Sequence, residues 1–492
     1  MKIALVYVPV PKFPLSDAER RYSNTFFQRC ARTYFQHLAT EDFKHFWEIE
    51  KVNQGLLYIA SYLRIHGFEV SYYAFGNNPY QLFSDSISTI LNEISTDLYK
   101  IDMVCMYSIT CNYHIAKFIA TKLKQKKPEL IIGLGGPHAN GYLKSYSCNN
   151  FSFTDHFEPF DFIGVGEGEK TVLEIAQFLD KKKHINDVQG VAARLNGKFV
   201  HGNDRKRTTT VDFPIPAYDI AGIQHLPAAR IFPNRGCPNS CYFCADPWKK
   251  IISYVTLDRI AEEVDILYSN YGTRYLYLGC EDFLCNENRA IEIAQIIHST
   301  HPDILWTAQC RAKPQIKSSL LEIIIKNGCI GIEFGVESAV QSILDRVNKN
   351  ITIENAKNCF KIAKAHGLYT HAYWMLGLPG ETMETAELTQ RTMLEWAESG
   401  FVDTWEYKQY IPYPGTIIYD NPSSFGIKIL HHDYKFYHYA LSPVISEGEL
   451  VSSQLHDLLT SGLDLSAQLL QNHGSQEKIE IGVDLETIEN MF

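Results

Sequence analysis

Residues 228–244 read AARIFPNRGCPNSCYFC. The apolar AARIF stretch at 228–232 has strand character, and Gly236, Pro238 and Asn239 turn the chain into a loop. That loop sets three thiols, Cys237, Cys241 and Cys244, within eight residues. Three thiolates on so short a segment can wrap one metal centre. A structural zinc site takes four ligands, usually as two separated pairs, and the chain has no second CxxC. A cubane iron–sulfur cluster takes one cysteine per iron, so three thiolates leave one iron open to a substrate or cofactor. Inert buried thiols are a poor account of an exposed, Pro-bearing loop.

Downstream, strand signals recur at RYLYLG (274–279), LWTAQCR (305–311), CIGIEFGVE (329–337), THAYWMLGL (370–378) and DTWEYKQYI (403–411), with helical stretches between them. Counting AARIF, these are six βα-type units, the pattern of an open, partial (β/α)6 TIM-type barrel. Upstream, IALVYVPV (3–10), FEVSYYAF (68–75), VCMYSIT (104–110), LIIGLGG (130–136) and DFIGVG (161–166) alternate with helical segments at 53–66 and 113–126. A further helix after 170 puts Val172, Ile175 and Leu179 on one face. This predicts an α/β chain whose N-terminal domain is a doubly wound, Rossmann-like parallel sheet. Ligands of such sheets sit beyond the carboxyl ends of the strands. That edge carries Ser108 to Cys111, the turn Gly135-Gly136-Pro137-His138, and Gly166-Glu167-Gly168-Glu169. Residues 12–50 interrupt the pattern and read as an inserted helix capping the sheet, or alternatively as a lid. Residues 181–227 read as a connection containing a small hairpin, VAARLNGKFV. The boundaries expected are 1–205, 206–435 and a helical C-terminal extension at 436–492.

The chain has 492 residues, 45% hydrophobic and 21% charged, which excludes a disordered class. Lys+Arg at 46 against Asp+Glu at 56 leaves −10, and no basic domain is appended, which argues against nucleic acid as a partner. No apolar run is long enough to span a membrane, and the apolar start is too short for a signal peptide. A cytoplasmic, reducing location is expected, where the 12 cysteines favour metal ligation over disulfides.

The spacing CxxxCxxC, with Phe243 before the last cysteine, resembles the signature of the radical S-adenosylmethionine (SAM) enzymes. The resemblance implies that Cys237, Cys241 and Cys244 bind a [4Fe–4S] cluster whose unique iron chelates the amino and carboxylate groups of SAM. One-electron reduction then cleaves SAM to methionine and a 5′-deoxyadenosyl radical, which abstracts a substrate hydrogen. Gly279-Cys280-Glu281-Asp282 resembles the family's Gly-Gly-Glu, implying that Gly279 and Glu281 hold the SAM amino group, with Cys280 in place of the second glycine. Phe334 to Ser338 resembles the ribose-contacting strand, making Glu337 and Ser338 candidate contacts; a helix N-cap also accounts for Ser338. Gly377-Leu378-Pro379-Gly380-Glu381-Thr382 resembles the turn that approaches the adenine, implicating Gly377 and Leu378. Phe243 joins the same cofactor set.

The stretches NQGLLYIASYL, LGGPHA, DFIGVGEGEKT and IPYPGT resemble the subset of these enzymes with an N-terminal cobalamin-binding-type domain. Cobalamin is therefore implied as a third cofactor, with Ser108, Gly136 and Glu167 on its edge of the sheet. The chain lacks an Asp-x-His-x-x-Gly stretch whose histidine would ligate cobalt from below. His114 and His138 lie near that rim and read as satisfied side chains rather than ligands. A retained fold that no longer binds the cofactor stays open as an alternative.

At the barrel mouth, Glu281, Asp282, Glu333 and Glu406 need a reason, because an unpaired buried charge is costly. They either pair with Arg235, Arg311, Lys349 or Lys408, or they hold the ammonium groups of a polar substrate such as an aminosugar, against Trp and Tyr faces. Glu281, Glu333 and Glu406 are the candidate catalytic residues. The leading functional expectation is cobalamin-dependent C-methylation of a small metabolite in antibiotic or secondary-metabolite biosynthesis. The alternative is cobalamin-independent radical dehydration, deoxygenation or epimerisation of a diol or aminosugar. A non-catalytic iron–sulfur or corrinoid module is a third class. A flavodoxin, ferredoxin or reductase is the electron donor implied.

Overall fold

Strands buried on both faces are written as near-continuous apolar runs, and four of the first five strand signals fold accordingly, the second (Glu69–Ala74) being a half-buried edge strand. The structure, a computed structural model, describes residues 1–11, 16–23, 25, 46–74, 83–146, 153–195, 198–207, 210–211, 213–246, 250–313, 315–438 and 444–472. β1 (Lys2–Tyr7), β2 (Glu69–Ala74), β3 (Met103–Tyr107), β4 (Ile131–Gly135) and β5 (Phe162–Gly164) are all parallel. β6 (Val191–Leu195) and β7 (Lys198–His201) extend the sheet antiparallel, so its order is β2-β1-β3-β4-β5-β6-β7. The VAARLNGKFV hairpin is thus the edge of this sheet, not a free connection. Ala4, Val6, Val104 and Ile132 pack on the helix Tyr113–Lys126 on one face. Ile3, Leu5, Met103 and Cys105 pack on the helices Gln54–Ile65 and Gly168–Leu179 on the other. The strand order reverses between β1 and β3, which opens a crevice at their carboxyl ends.

The barrel follows. Its strands are, with three short ones alongside, β8 (Thr210–Val211), β9 (Ala228–Ile231), β10 (Asn234–Arg235), β11 (Ser253–Val255), β12 (Tyr275–Leu278), β13 (Leu305–Arg311), β14 (Cys329–Glu337), β15 (Tyr369–Leu376) and β16 (Thr404–Gln409). Six of them form one parallel sheet in the order β16-β15-β14-β13-β12-β9, a half-barrel. Alternate side chains leave opposite faces of a strand. Trp306, Ala308, Ile332, Phe334, Ala372, Trp374 and Trp405 belong to the core packed against the outer helices. Gln309, Glu333, His371, Tyr373, Glu406 and Lys408 alternate with them and line the inner face.

The helix Ser452–Asn472 packs along β16, with Leu455, Leu458 and Leu470 in the barrel core. Trp405 Nε1 donates to Ser466 Oγ at 2.8 Å, and Gln390 Nε2 to the Leu458 carbonyl at 2.6 Å. This helix therefore covers the open edge of the half-barrel, integral to its packing. Most of the 12–50 insertion, read as a cap or a lid, lies outside the described residues. The described helical segment at 17–23 puts Arg21 on Asp464 at 2.6 Å and the Tyr22 hydroxyl on the Trp405 carbonyl. Among the described residues, no helix is long and apolar enough to cross a membrane.

Candidate active site

The thiol loop leaves the end of β10 and is pinned from three directions. β10 pairs antiparallel with β11, which pairs in turn with β8. Gly236 takes φ +88°, and a Cβ there would lie 2.1 Å from the Ile251 carbonyl oxygen, so only glycine admits the turn. On the far side, the Tyr242 amide donates to the Val347 carbonyl at 2.9 Å, and Asn348 Nδ2 donates to the Ser240 carbonyl at 2.9 Å. The three sulfurs stand among donors. Cys237 Sγ accepts from Asn239 Nδ2 at 3.4 Å, Cys244 Sγ from the Asp246 amide at 3.3 Å, and Cys241 Sγ from Arg311 Nη1 at 3.3 Å. Such donors stabilise thiolate, the ligating form. Among the described residues, no three His, Cys, Asp or Glu side chains form a single-ion site. A cubane does not require convergence on one point, since each cysteine takes its own iron; the donor set fits that cluster.

The remaining motifs gather around this loop. Gly279 and Glu281 line the same cavity as Cys244; the Glu281 side chain is exposed to that cavity, and the surrounding protein together with Asp246 pushes its carboxyl above the ordinary range. Leu378 shares a buried cluster with Tyr242 and Phe243. Gly377, at φ +85°, donates its amide to the Glu381 carboxylate. Glu337 sits at φ +70°, bonded through Oε1 to Lys349 Nζ at 2.6 Å, and Lys349 lies 5.9 Å from the Phe243 ring centre. Glu337 Oε2 is buried with no hydrogen-bond partner. A buried acceptor left open is costly and suits a ligand donor such as a ribose hydroxyl. Ser338 is turned inward: its hydroxyl accepts from the Val340 amide at 3.2 Å and meets Thr389 Oγ1 at 3.3 Å.

Between sheet and barrel lies a cavity of about 810 Å³, within the size range of cofactor pockets. Its walls include Tyr107, Asn112, Gly136, Asn140 and Glu167 from the sheet edge, and Arg230, Arg235, Gly279 and Glu281 from the barrel. A group held at the β1/β3 crevice therefore faces the thiol loop. Ser108 does not reach the cavity; it is fully buried, its hydroxyl meeting Asn112 Oδ1 at 3.1 Å. Among the described residues, no histidine lines the cavity. His138 is fully buried, its Nε2 3.1 Å from that of His156, and His114 is exposed. Cavity size and glycine-lined strand ends fit cobalamin held without a histidine ligand from these positions.

The four cations weighed at the mouth divide differently from one another. Lys408 pairs with Glu406 and Lys349 with Glu337, while Arg311 reaches Cys241. Arg235 instead crosses to the sheet, 2.8 Å from Glu169 and 3.4 Å from Glu167. Burial acts upward on Glu406, but Lys408 and then His371 hold its carboxyl below the ordinary range. Glu333 accepts from the hydroxyls of Tyr277 (3.1 Å) and Tyr373, and His371 Nδ1 lies 2.9 Å from Thr404 Oγ1. Arg230 stands over the Tyr277 ring at 4.7 Å, joining the cavity to this inner face. The sequence reading missed Tyr277, Tyr373 and Arg230. Strand alternation was the available signal: Tyr277 precedes Gly279 by two, Tyr373 follows His371 by two, and Arg230 has the same place in its strand.

Two family models match: the radical SAM superfamily over residues 231–393 and the B12 binding domain over residues 51–176. An uncharacterized methyltransferase of Pyrococcus horikoshii is 27% identical, covering 73% of this chain and 77% of its own length. Anaerobic magnesium-protoporphyrin IX monomethyl ester cyclase of Rubrivivax gelatinosus is 26% identical, covering 82% and 71%. The fold matches the radical SAM methyltransferase TsrM of Kitasatospora setae with cobalamin and [4Fe–4S] cluster bound, at TM-score 0.64 and 14% identity over 94% of this chain and 88% of that one. It also matches OxsB with aqua-cobalamin and SAM bound, at TM-score 0.65 and 15% identity over 90% and 64%. The chain belongs to the radical SAM enzymes, in the subset that carries a cobalamin-binding domain ahead of the barrel. The cofactors those two families imply are a [4Fe–4S] cluster, SAM and cobalamin.

Proposed function

We propose that this protein is a cobalamin-dependent radical SAM methyltransferase that methylates a carbon of a small polar molecule carrying an ammonium or hydroxyl group. The observation that carries the reading is the shared cavity, which both the β1/β3 crevice and the thiol loop face. When bound, the cluster with SAM supplies hydrogen-atom abstraction and cobalamin supplies a transferable methyl group.

The chain's own residues have distinct roles in this reading. Cys237, Cys241 and Cys244 hold the cluster, while Glu281, Glu337 and the Gly377–Leu378 turn seat SAM. Gly136 and Glu167 bound the cobalamin side. Glu333, fixed by two tyrosine hydroxyls, keeps acceptor capacity toward the inner face and orients a substrate donor. Glu406, kept ionised by Lys408, is the second anchor for a cationic substrate such as an aminosugar. Residues 1–205, 206–435 and 436–492 are the proposed divisions of the chain.

The test is cobalt. The protein is purified anaerobically, its cluster reconstituted, and hydroxocobalamin added before desalting. Near-stoichiometric cobalt per chain, with methyl transfer from labelled SAM, is the expected result. Cleavage of SAM without retained cobalt would overturn methylation and leave radical dehydration, deoxygenation or epimerisation.

A further inference from the structure

Among the described contacts, the three cluster thiols do not receive equivalent donors. Cys237 accepts from the amide and the side-chain nitrogen of Asn239, and Cys244 from the Asp246 amide, all neutral groups. Cys241, 7% exposed, accepts from Arg311 Nη1 at 3.3 Å, a cationic donor from another strand. Arg311 is the last residue of β13, and its backbone amide donates to Asp282 Oδ1 at 3.2 Å. Its base is thus fixed by the loop after β12, and its planar head is aimed back at the thiol loop. Nη2 is buried without a partner, so the guanidinium is not neutralised within its own hydrogen-bond reach by a carboxylate there.

Hydrogen bonds to cluster sulfurs and nearby charge are among the protein's main means of setting the potential of an iron–sulfur centre. One-electron reduction adds a negative charge to the cluster, with no bond made or broken in the protein. A fixed cation on a ligating sulfur stabilises the reduced state more than the oxidised one, because the attraction grows with the charge it faces. We propose that Arg311 is a positioning residue that tunes the cluster through Cys241, raising its reduction potential and easing electron entry from the external donor. The proposal rests on Cys237, Cys241 and Cys244 carrying a [4Fe–4S] cluster.

The test uses the full chain, anaerobically reconstituted and free of SAM, in a mediated dithionite titration followed by EPR of the reduced cluster. Arg311→Gln keeps an N–H donor without the charge, and Arg311→Lys keeps the charge without the planar fork. Iron content is expected to match wild type in both variants. The midpoint is expected to move to lower potential in Arg311→Gln, with Arg311→Lys between it and wild type. Unchanged midpoints in both would overturn the tuning role, and so would loss of iron from both, which would make Arg311 a structural support of the loop. A wild-type protein that takes up far fewer than about four irons, or shows no reducible cluster signal, would instead sink the cluster assignment itself.

Discussion

Two groups of cysteines in one barrel mouth differ in what surrounds their sulfur. Cys237, Cys241 and Cys244 meet N–H donors on a turn-rich loop, and at Cys237 the Asn239 donors pull against the upward push of burial; Cys280 is 2% exposed and burial pushes its thiol far above the ordinary range. A thiol that resists ionisation is a poor ligand, since metal binding requires the thiolate. Replacing any one of the three loop cysteines with Ala is expected to abolish cluster iron and SAM cleavage, while Cys280→Ala keeps its iron. Iron per chain after reconstitution decides it, and iron loss from Cys280→Ala would mean the ligand set is misassigned. The triad was legible because its spacing is local. Among the described contacts, only Glu406 of the mouth carboxylates takes an ion pair from the cations weighed for them, from Lys408 two residues away; Lys349 goes to Glu337, and Arg235 to Glu167, 68 residues away, which no local pattern encodes.

At the scale of elements, apolar runs announced the inner strands of the first sheet, because a strand buried on both faces has few other spellings, whereas a barrel strand such as TWEYKQ alternates apolar with polar residues. What stayed hidden was how short or amphipathic pieces were recruited. β6 and β7 became the edge of the first sheet, Thr210–Val211 braced the thiol loop, and the last described helix closed the barrel edge. The turn from β15 into the helix Met383–Glu398 shows why such junctions carry their own chemistry. Glu381, 2% exposed, accepts the Gly377 amide with Oε2 while Oε1 has no partner. Burial pushes its carboxyl up to about 7, against the pull of the Gly377 and Leu378 amides. The unfolded chain releases this proton near 4.5, so between 4.5 and about 7 the folded state binds more protons. Stability from this group is present in full below that window and falls as pH rises through it, by roughly 3 kcal/mol. Glu381→Gln, which cannot titrate, is expected to lose this decline. Urea unfolding of both proteins at about pH 5 and about pH 8 measures the difference in slope, and equal slopes would show that Glu381 is ionised in the fold.

At the scale of the molecule, two domains must present their ligands to one cavity, and that demands a rigid joint where loops alone would give a mobile one. The joint is ionic and buried. Arg235, two residues before Cys237, lies 2.8 Å from Glu169 and 3.4 Å from Glu167 in the turn that follows β5. Its guanidinium stands 4.9 Å from the Tyr58 ring centre; the Tyr58 hydroxyl donates to Glu263 of the barrel helix Leu257–Tyr271 at 3.4 Å, and Tyr218 donates to the same carboxylate at 2.7 Å. Arg235, with Arg207 Nε also 3.4 Å from Glu167, therefore ties the glycine turn of the sheet to the base of the thiol loop. Glu169 is 3% exposed, so removing its partner strands a charge that water cannot reach. Arg235→Met is expected to cost about 3–5 kcal/mol, the range for breaking a buried pair from one side. Adding Glu169→Gln should restore part of that loss, because the two changes act on one interaction and do not add. Thermal or urea unfolding of the two single variants and the double gives the coupling directly. A loss below about 1 kcal/mol in Arg235→Met would place the pair in the class of solvated surface bridges, and the register between the two cofactor-bearing turns would then come from the other contacts between the domains, among them the Gly415 amide on Ser145 Oγ at 2.7 Å and the apolar cluster of Leu57, Tyr218 and Ala229.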